Sequence, residues 1–304
     1  MRATRLASRL LNSVSMASSM AMPIRIEAAA SMLPHPEKAN TGGEDAFFLQ
    51  ERASVFGVFD GVGGWASQGV DAGAFSRALS ENTAAQFSGP RVAAALSAAH
   101  LKKALDDGLR KVKVLGSCTA CLACVDCSSS TLSAINLGDS GFRLFRSDGE
   151  PSSGSRRKLR LETASRSQQH YFNCPLQLGG GSSDRPRDAD PYTHSVQPGD
   201  LVLLATDGVL DNLFDDEIAE LLSAGGTAQQ LSARVAKYAR QLSFDHQRRS
   251  PFTVEAERMG ISNMLGGKVD DVTVLLLKVV EAAADPEDEA EQSQFESQSP
   301  RSKL

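Results

Sequence analysis

The sequence predicts an α+β fold with stacked sheets and helices on their outer faces. Two observations predict it. Short apolar runs come in clusters, and alanine-rich helical stretches separate those clusters. No internal repeat is visible.

The elements follow in order. Val55-Phe56-Gly57-Val58-Phe59 is an apolar run ending at Asp60-Gly61, which reads as a buried strand entering a turn. Residues 69–87 and 90–109 are alanine-rich and lack internal proline, which favours two helices. Three β-type runs follow at 117–126, 131–137 and 141–146, with Gly138-Asp139-Ser140-Gly141 as a turn between the last two. Residues 147–167 are rich in Ser and Arg and read as a surface loop. Leu201–Ala205 is another apolar strand running into Asp207-Gly208. Helices are expected at 215–223 and 227–242; in the second, Ala228, Leu231, Val235, Tyr238 and Leu242 share a stripe. Val272 to Val280 closes the domain as a strand.

Bulk properties bound the function. At 304 residues and 41% apolar composition the chain can bury a sizeable core. A net charge of −5 offers no basic excess to displace counterions, which argues against nonspecific nucleic-acid binding. No apolar run approaches the ~20 residues of a membrane helix. The five cysteines, Cys118, Cys121, Cys124, Cys127 and Cys174, are an odd number clustered in one segment, so a reducing compartment is expected rather than a secreted disulfide framework.

Both ends carry address-like features. Residues 1–26 hold Arg2, Arg5, Arg9 and Arg25 as their only charges, with serines between them, the pattern of a mitochondrial presequence. The chain ends Ser302-Lys303-Leu304, a peroxisomal signal. The acidic stretch 281–304 has too few apolar groups to order itself, which would leave that signal accessible. The organisation expected is presequence and linker over 1–40, a folded domain over 41–280 and an acidic tail over 281–304.

Four acidic motifs carry the chemistry: Gly43-Glu44-Asp45-Ala46, Asp60-Gly61-Val62-Gly63-Gly64, Thr206-Asp207-Gly208 and Val269-Asp270-Asp271-Val272. Carboxylate and carbonyl oxygens suit hard cations such as magnesium and manganese. Asp60 has two oxygens and can bridge two ions. The glycine after it permits a turn and a close backbone approach, and leaves the Gly61 carbonyl as a further oxygen. Glu44 and Asp45 can each offer a ligand, directly or through water. Of Asp270 and Asp271, strand alternation sends only one toward the ions.

Asp60-Gly61-Val62-Gly63-Gly64-Trp65, Leu137-Gly138-Asp139-Ser140-Gly141, Ala205-Thr206-Asp207-Gly208-Val209 and Asp270-Asp271-Val272-Thr273-Val274 resemble the ordered motifs of the metal-dependent, type 2C (PPM-type) serine/threonine protein phosphatases. Gln168 to Asn173, Asp211-Asn212 and Ser250-Pro251-Phe252 resemble the organellar branch of that family, which includes the mitochondrial T-cell-activation phosphatase. The resemblance covers about residues 42–279. It implies a central antiparallel β-sandwich flanked by helices, a four-layer α-β-β-α arrangement, with two Mg²⁺ or Mn²⁺ ions at one end. It also implies that Asp60 bridges both ions, that Asp207 and Asp270 bind one, and that Glu44 and the Gly61 carbonyl bind the other. Asp45 would support from behind, and Asp139 would serve a weaker third ion. A metal-activated water would then attack phosphorus in line, without a phosphoenzyme.

Two departures bear on mechanism. Many members have histidine, a proposed proton donor, where this chain has Val62; the organellar branch shares the difference. Many also place an arginine four residues before the Glu-Asp pair, where this chain has Asn40; Lys38 is the nearby candidate to meet phosphate. The expected partners are phosphoprotein substrates, with no nucleic acid, no membrane span and a monomeric state. The alternative is a catalytically weak scaffold that uses the same fold to dock a partner protein. A metal-dependent nuclease fits poorly, for want of a basic strand-binding groove.

The cysteine spacing resembles an iron–sulfur site, but strand geometry opposes one. Cys118 and Cys124 would face one way and Cys121 and Cys127 the other, with the first pair roughly 20 Å apart. The five histidines lack a metal-binding pattern, and Gly179-Gly180-Gly181 lacks the ending of a phosphate loop.

Overall fold

Alternation along the strands fills three apolar layers. A computed structural model describes residues 23–89, 95–147, 149 and 158–282. The strands are β1 (Ile24–Leu33), β2 (Asp45–Gln50), β3 (Val55–Asp60), β4 (Ser117–Cys118), β5 (Ala120–Asp126), β6 (Thr131–Leu137), β7 (Gly141–Ser147), β8 (Leu159–Ala164), β9 (Gln169–Tyr171), β10 (Cys174–Pro175), β11 (Leu178–Gly179), β12 (Asp190–Ser195), β13 (Leu201–Ala205) and β14 (Val272–Glu281). The α-helices are α1 (Ala72–Ala84), α2 (Ala98–Leu109), α3 (Asp207–Leu210), α4 (Asp215–Ser223), α5 (Ala228–Ser243) and α6 (Pro251–Arg258). Two five-stranded antiparallel sheets result, ordered β1-β14-β13-β7-β8 and β12-β6-β5-β3-β2.

In β3, Phe56 and Val58 point between the sheets, while Val55 and Phe59 point outward against Phe75 and Leu79 of α1 and Leu101 and Leu105 of α2. In β13, Val202 and Leu204 point between the sheets, while Leu201, Leu203 and Ala205 meet Leu231, Val235 and Ala239 of α5. Strands buried on both faces read as continuous apolar runs, which is why these two were visible in the sequence. The result is the α+β sandwich with helices on both outer faces. The cysteines follow the same alternation: Cys118 and Cys124 face the α1 side, Cys121 and Cys127 the space between the sheets. All five are free thiols, and burial pushes those of Cys118, Cys121 and Cys124 far up.

Three expectations need correction. Residues 24–33, read as the end of the presequence (to 26, with Arg25) and as linker, form β1, which pairs along its whole length with β14 and so lies in the sandwich itself. Its Ala28-Ala29-Ala30 lacks the large apolar residues that mark a strand; small side chains there suit the close packing of α5, where Ser31 Oγ meets Ser232 Oγ at 2.9 Å. The loop read over 147–167 contains β8, a sheet-edge strand with only Leu159 buried. The helices expected over 69–87 and 90–109 begin later, at Ala72 and Ala98; a 3-10 turn over Gly63–Gln68 precedes the first. Residues 1–22 and 283–304, with Arg2, Arg5 and Arg9 of the N-terminal address and the whole C-terminal one, lie outside the described residues. No helix among the described residues is long and apolar enough to cross a membrane.

Candidate metal centre

The acidic motifs meet at one end of the sandwich because the strands that carry them are paired in register. Asp45 on β2 lies opposite Asp60 on β3. Across the sandwich, Ala205 at the end of β13 lies opposite Val274 on β14, which brings Asp207 and Asp270 to the same edge. Asp139 sits in the turn between β6 and β7. One carboxylate oxygen from each of Asp60, Asp139 and Asp207 falls within 4.8 Å of the others. A cleft of about 310 Å³ opens over them, and Lys38, Glu44, Gly61 and Asp270 share its wall.

The glycines of both Asp-Gly steps serve close approach. Neither is among the glycines with positive φ, so neither supplies a left-handed turn. A Cβ on Gly61 would lie 2.6 Å from the Glu44 carbonyl oxygen, and one on Gly208 would lie 1.8 Å from the Asp271 carbonyl oxygen. Each glycine lets the backbone of one acidic motif rest on the backbone of another.

The paired acids divide their work. Asp270 lines the cleft. Asp271 is buried and accepts from the backbone N–H of His35 at 2.6 Å and of Glu44 at 2.9 Å, so it fixes the loop that presents Glu44. Asp45 is likewise buried behind the cleft, accepting from the Thr206 hydroxyl at 2.9 Å and the Thr273 hydroxyl at 2.6 Å. Lys38 pairs with Glu44 and lies 3.8 Å from Asp271.

Sequence reasoning gave no role to Lys268 or Asp211. The Lys268 ammonium pairs with Asp207 and stands 3.0 Å from Asp211 and 3.4 Å from Asp270. The available signal was a lysine two residues before a paired carboxylate.

The electrostatics fit divalent cations. Burial, followed by the nearby Asp207 charge, lifts Asp60 and Asp139 well above the ordinary carboxylate range. Burial, then Asp271, does the same to Asp45. Burial pushes Asp211 and Asp270 up to about 6, with Lys268 opposing the rise in both. Asp45, Asp139 and Asp207 each have a buried Oδ1 without a hydrogen-bond partner among the described residues. Crowded carboxylate oxygens that repel each other and lack hydrogen-bond donors are a donor set for hard cations.

A pH dependence follows. A carboxylate with a raised folded pKa contributes stability below its unfolded pKa, and that contribution is lost as pH rises through the folded value. With EDTA present, the melting temperature should therefore fall between about pH 4 and pH 7, the window set by the 3.8 starting value and the value near 6 of Asp270. Saturating Mn²⁺ should reverse the slope, because metal binding needs ionised carboxylates. Scanning calorimetry at fixed ionic strength checks both signs; a metal-free melting temperature that climbs over that window would contradict this account.

The model of the family described as "Stage II sporulation protein E (SpoIIE)" matches residues 51–280. The Xenopus laevis "Protein phosphatase PTC7 homolog" is 39% identical over 255 residues, which cover 79% of this chain and 82% of that protein. The chain belongs to the type 2C (PPM-type) family of serine/threonine protein phosphatases. Among other type 2C relatives, "Probable protein phosphatase 2C 80" of Arabidopsis thaliana is 37% identical over 262 residues. The chain spans only 58% of that protein and 52% of the Arabidopsis "Probable protein phosphatase 2C 55". The X-ray structure of the photosystem II phosphatase PBCP superposes with a TM-score of 0.73 at 28% identity, over 84% of this chain and all of that one. The catalytic domain of the serine/threonine phosphatase PstP, in complex with 2 manganese ions, shares the type 2C fold at a TM-score of 0.56 and 19% identity.

Proposed function

We propose that this chain hydrolyses phosphoserine and phosphothreonine in proteins, using two magnesium or manganese ions. The observation that carries this reading is the convergence of Asp60, Asp139 and Asp207 in one cleft, with carboxylate oxygens left without partners. Asp60 would hold both ions, Asp207 and Asp270 one, and Glu44 with the Gly61 carbonyl the other; Asp139 would serve a third. When bound, the ions would supply a nucleophilic water and neutralise charge on the phosphoryl oxygens.

The chain's own residues frame that chemistry. Asp271 holds the loop that presents Glu44, and Asp45 ties β2 to Thr206, the residue before Asp207, and to Thr273. Lys38 lines the cleft, where its ammonium could leave Glu44 for a phosphoryl oxygen. Val62 has no proton to give, so the seryl oxygen would be protonated from water or from another side chain of the cleft. Thiols buried as deeply as Cys118 and Cys121 are inert as nucleophiles, which supports direct attack by water.

Turnover of a phosphoserine peptide should require Mn²⁺ or Mg²⁺ and stop with EDTA. Lys38→Met should raise KM about tenfold with a smaller change in kcat, the signature of lost ground-state binding. Val62 keeps a second reading open, a weakly catalytic scaffold that docks a partner. A folded, manganese-loaded protein that turns over neither the peptide nor p-nitrophenyl phosphate would favour the scaffold. The phosphoprotein substrate, a monomeric state, and delivery to mitochondria or peroxisomes belong to the same proposal.

A further inference from the structure

We infer that Lys268 is a built-in counter-cation that competes with the divalent ion held by Asp207 and Asp270, and so sets the metal concentration at which the centre fills. This rests on the metal-centre reading above and adds a regulator to it.

Lys268 is locked in place. Its side chain is 17% exposed. Its backbone is clamped at both ends by the fully buried Asn212: the Lys268 N–H donates to Asn212 Oδ1 at 2.9 Å, and the Lys268 carbonyl accepts from Asn212 Nδ2 at 2.8 Å. The Phe252 ring lies 5.5 Å from the ammonium and packs in turn on Phe172, with ring centroids 4.9 Å apart. A cation over an aromatic face is held there by the ring quadrupole. From that position the ammonium reaches three carboxylates, Asp207, Asp211 and Asp270.

Two of those three are the proposed ligands of one divalent ion. A fixed +1 charge beside them does two things. It relieves repulsion among the carboxylates when no ion is bound, and it repels a +2 ion approaching the same oxygens. Asp211 lies off the proposed ligand set, so it gives the ammonium an anchor to keep when the ion enters. Weak occupancy at low metal and full occupancy at high metal follow from this arrangement.

Calorimetric titration with MnCl₂ alone tests the inference. Lys268→Met should bind Mn²⁺ with a Kd at least about tenfold lower than wild type. Lys268→Arg keeps the charge and should stay within about threefold of wild type. In EDTA, Lys268→Met should melt below wild type, and Mn²⁺ should raise its melting temperature by more. Should Lys268→Met fail to fold without metal, Mg²⁺ titration of wild type labelled with ¹³Cε-lysine gives a second readout: the Lys268 resonance, identified by its loss in Lys268→Arg, should shift as the ion enters. An unchanged or higher Kd in Lys268→Met, or a Lys268 resonance indifferent to Mg²⁺, overturns the inference alone. A wild type that takes up no Mn²⁺ at all overturns the metal-centre reading and this inference together.

Discussion

Asp60→Asn is expected to cut turnover of a phosphoserine peptide on the order of 10³-fold while making the metal-free protein no less stable. The two effects share one cause. Asp60 stands with Asp139 and Asp207 within 4.8 Å, and its pKa is raised by burial first and by the Asp207 charge second. At neutral pH the folded chain therefore holds this carboxylate at a cost that the unfolded chain does not bear. An amide of the same shape removes that cost. It also removes the carboxylate proposed to hold both ions, since an amide offers a single neutral oxygen to cations. The expected pattern is lost activity, weaker Mn²⁺ uptake by calorimetry, and a melting temperature in EDTA equal to or above wild type. Sites that concentrate like charge commonly exchange stability for function in this way. A variant with wild-type kcat, or one that melts well below wild type in EDTA, would remove Asp60 from the centre of the mechanism.

What could be read from the chain depended on how many faces each element buries. Strands β3, β5, β13 and β14 bury both faces, so their apolar runs and even the facing of Cys118 against Cys121 were legible. Strand β1 was not, because small alanines carry little apolar signal and its pairing partner β14 and covering helix α5 lie more than 190 residues away (Gln229 donates to the Ala30 carbonyl across 199 positions). Strands β8 and β12 lie at sheet edges, where exposed residues dilute the signal. At the site, Asp60 and Asp207 announced themselves by following apolar strands. Strand alternation let Asp270 and Asp271 be expected to part, and only the family resemblance named Asp270 for the ions; the backbone N–H groups of His35 and Glu44 hold Asp271 behind the cleft. Lys268 was illegible for another reason. Its partners Asp207 and Asp211 lie 61 and 57 positions earlier, and a lysine before an acidic pair ordinarily reads as a solvated surface charge.

Gly208→Ala should cost about 3 kcal/mol or more, which for a domain of this size lowers the melting temperature by roughly 6–12 °C. The added Cβ would lie 1.8 Å from the Asp271 carbonyl oxygen, 2.9 Å from its carbon and 3.3 Å from Val272 Cα. All three are backbone atoms, so no side chain can rotate aside. Nor can the two segments simply part. Ala205 and Val274 are paired in the sheet, the Thr206 N–H donates to the Thr273 carbonyl at 3.2 Å, and the Thr273 N–H donates to Thr206 Oγ1 at 3.0 Å. Relief requires breaking that join, which also carries the hydroxyls that hold Asp45 and the step that sets Asp207 against Asp270. Mn²⁺ affinity should therefore fall along with stability. Gly64→Ala is the control, because no atom lies within 4 Å of its added Cβ and its backbone needs no positive φ. It should melt within about 1 °C of wild type, as surface substitutions ordinarily do. If Gly208→Ala melted like Gly64→Ala, the close contact between the Asp207 and Asp271 segments could not be what holds the two halves of the metal centre together.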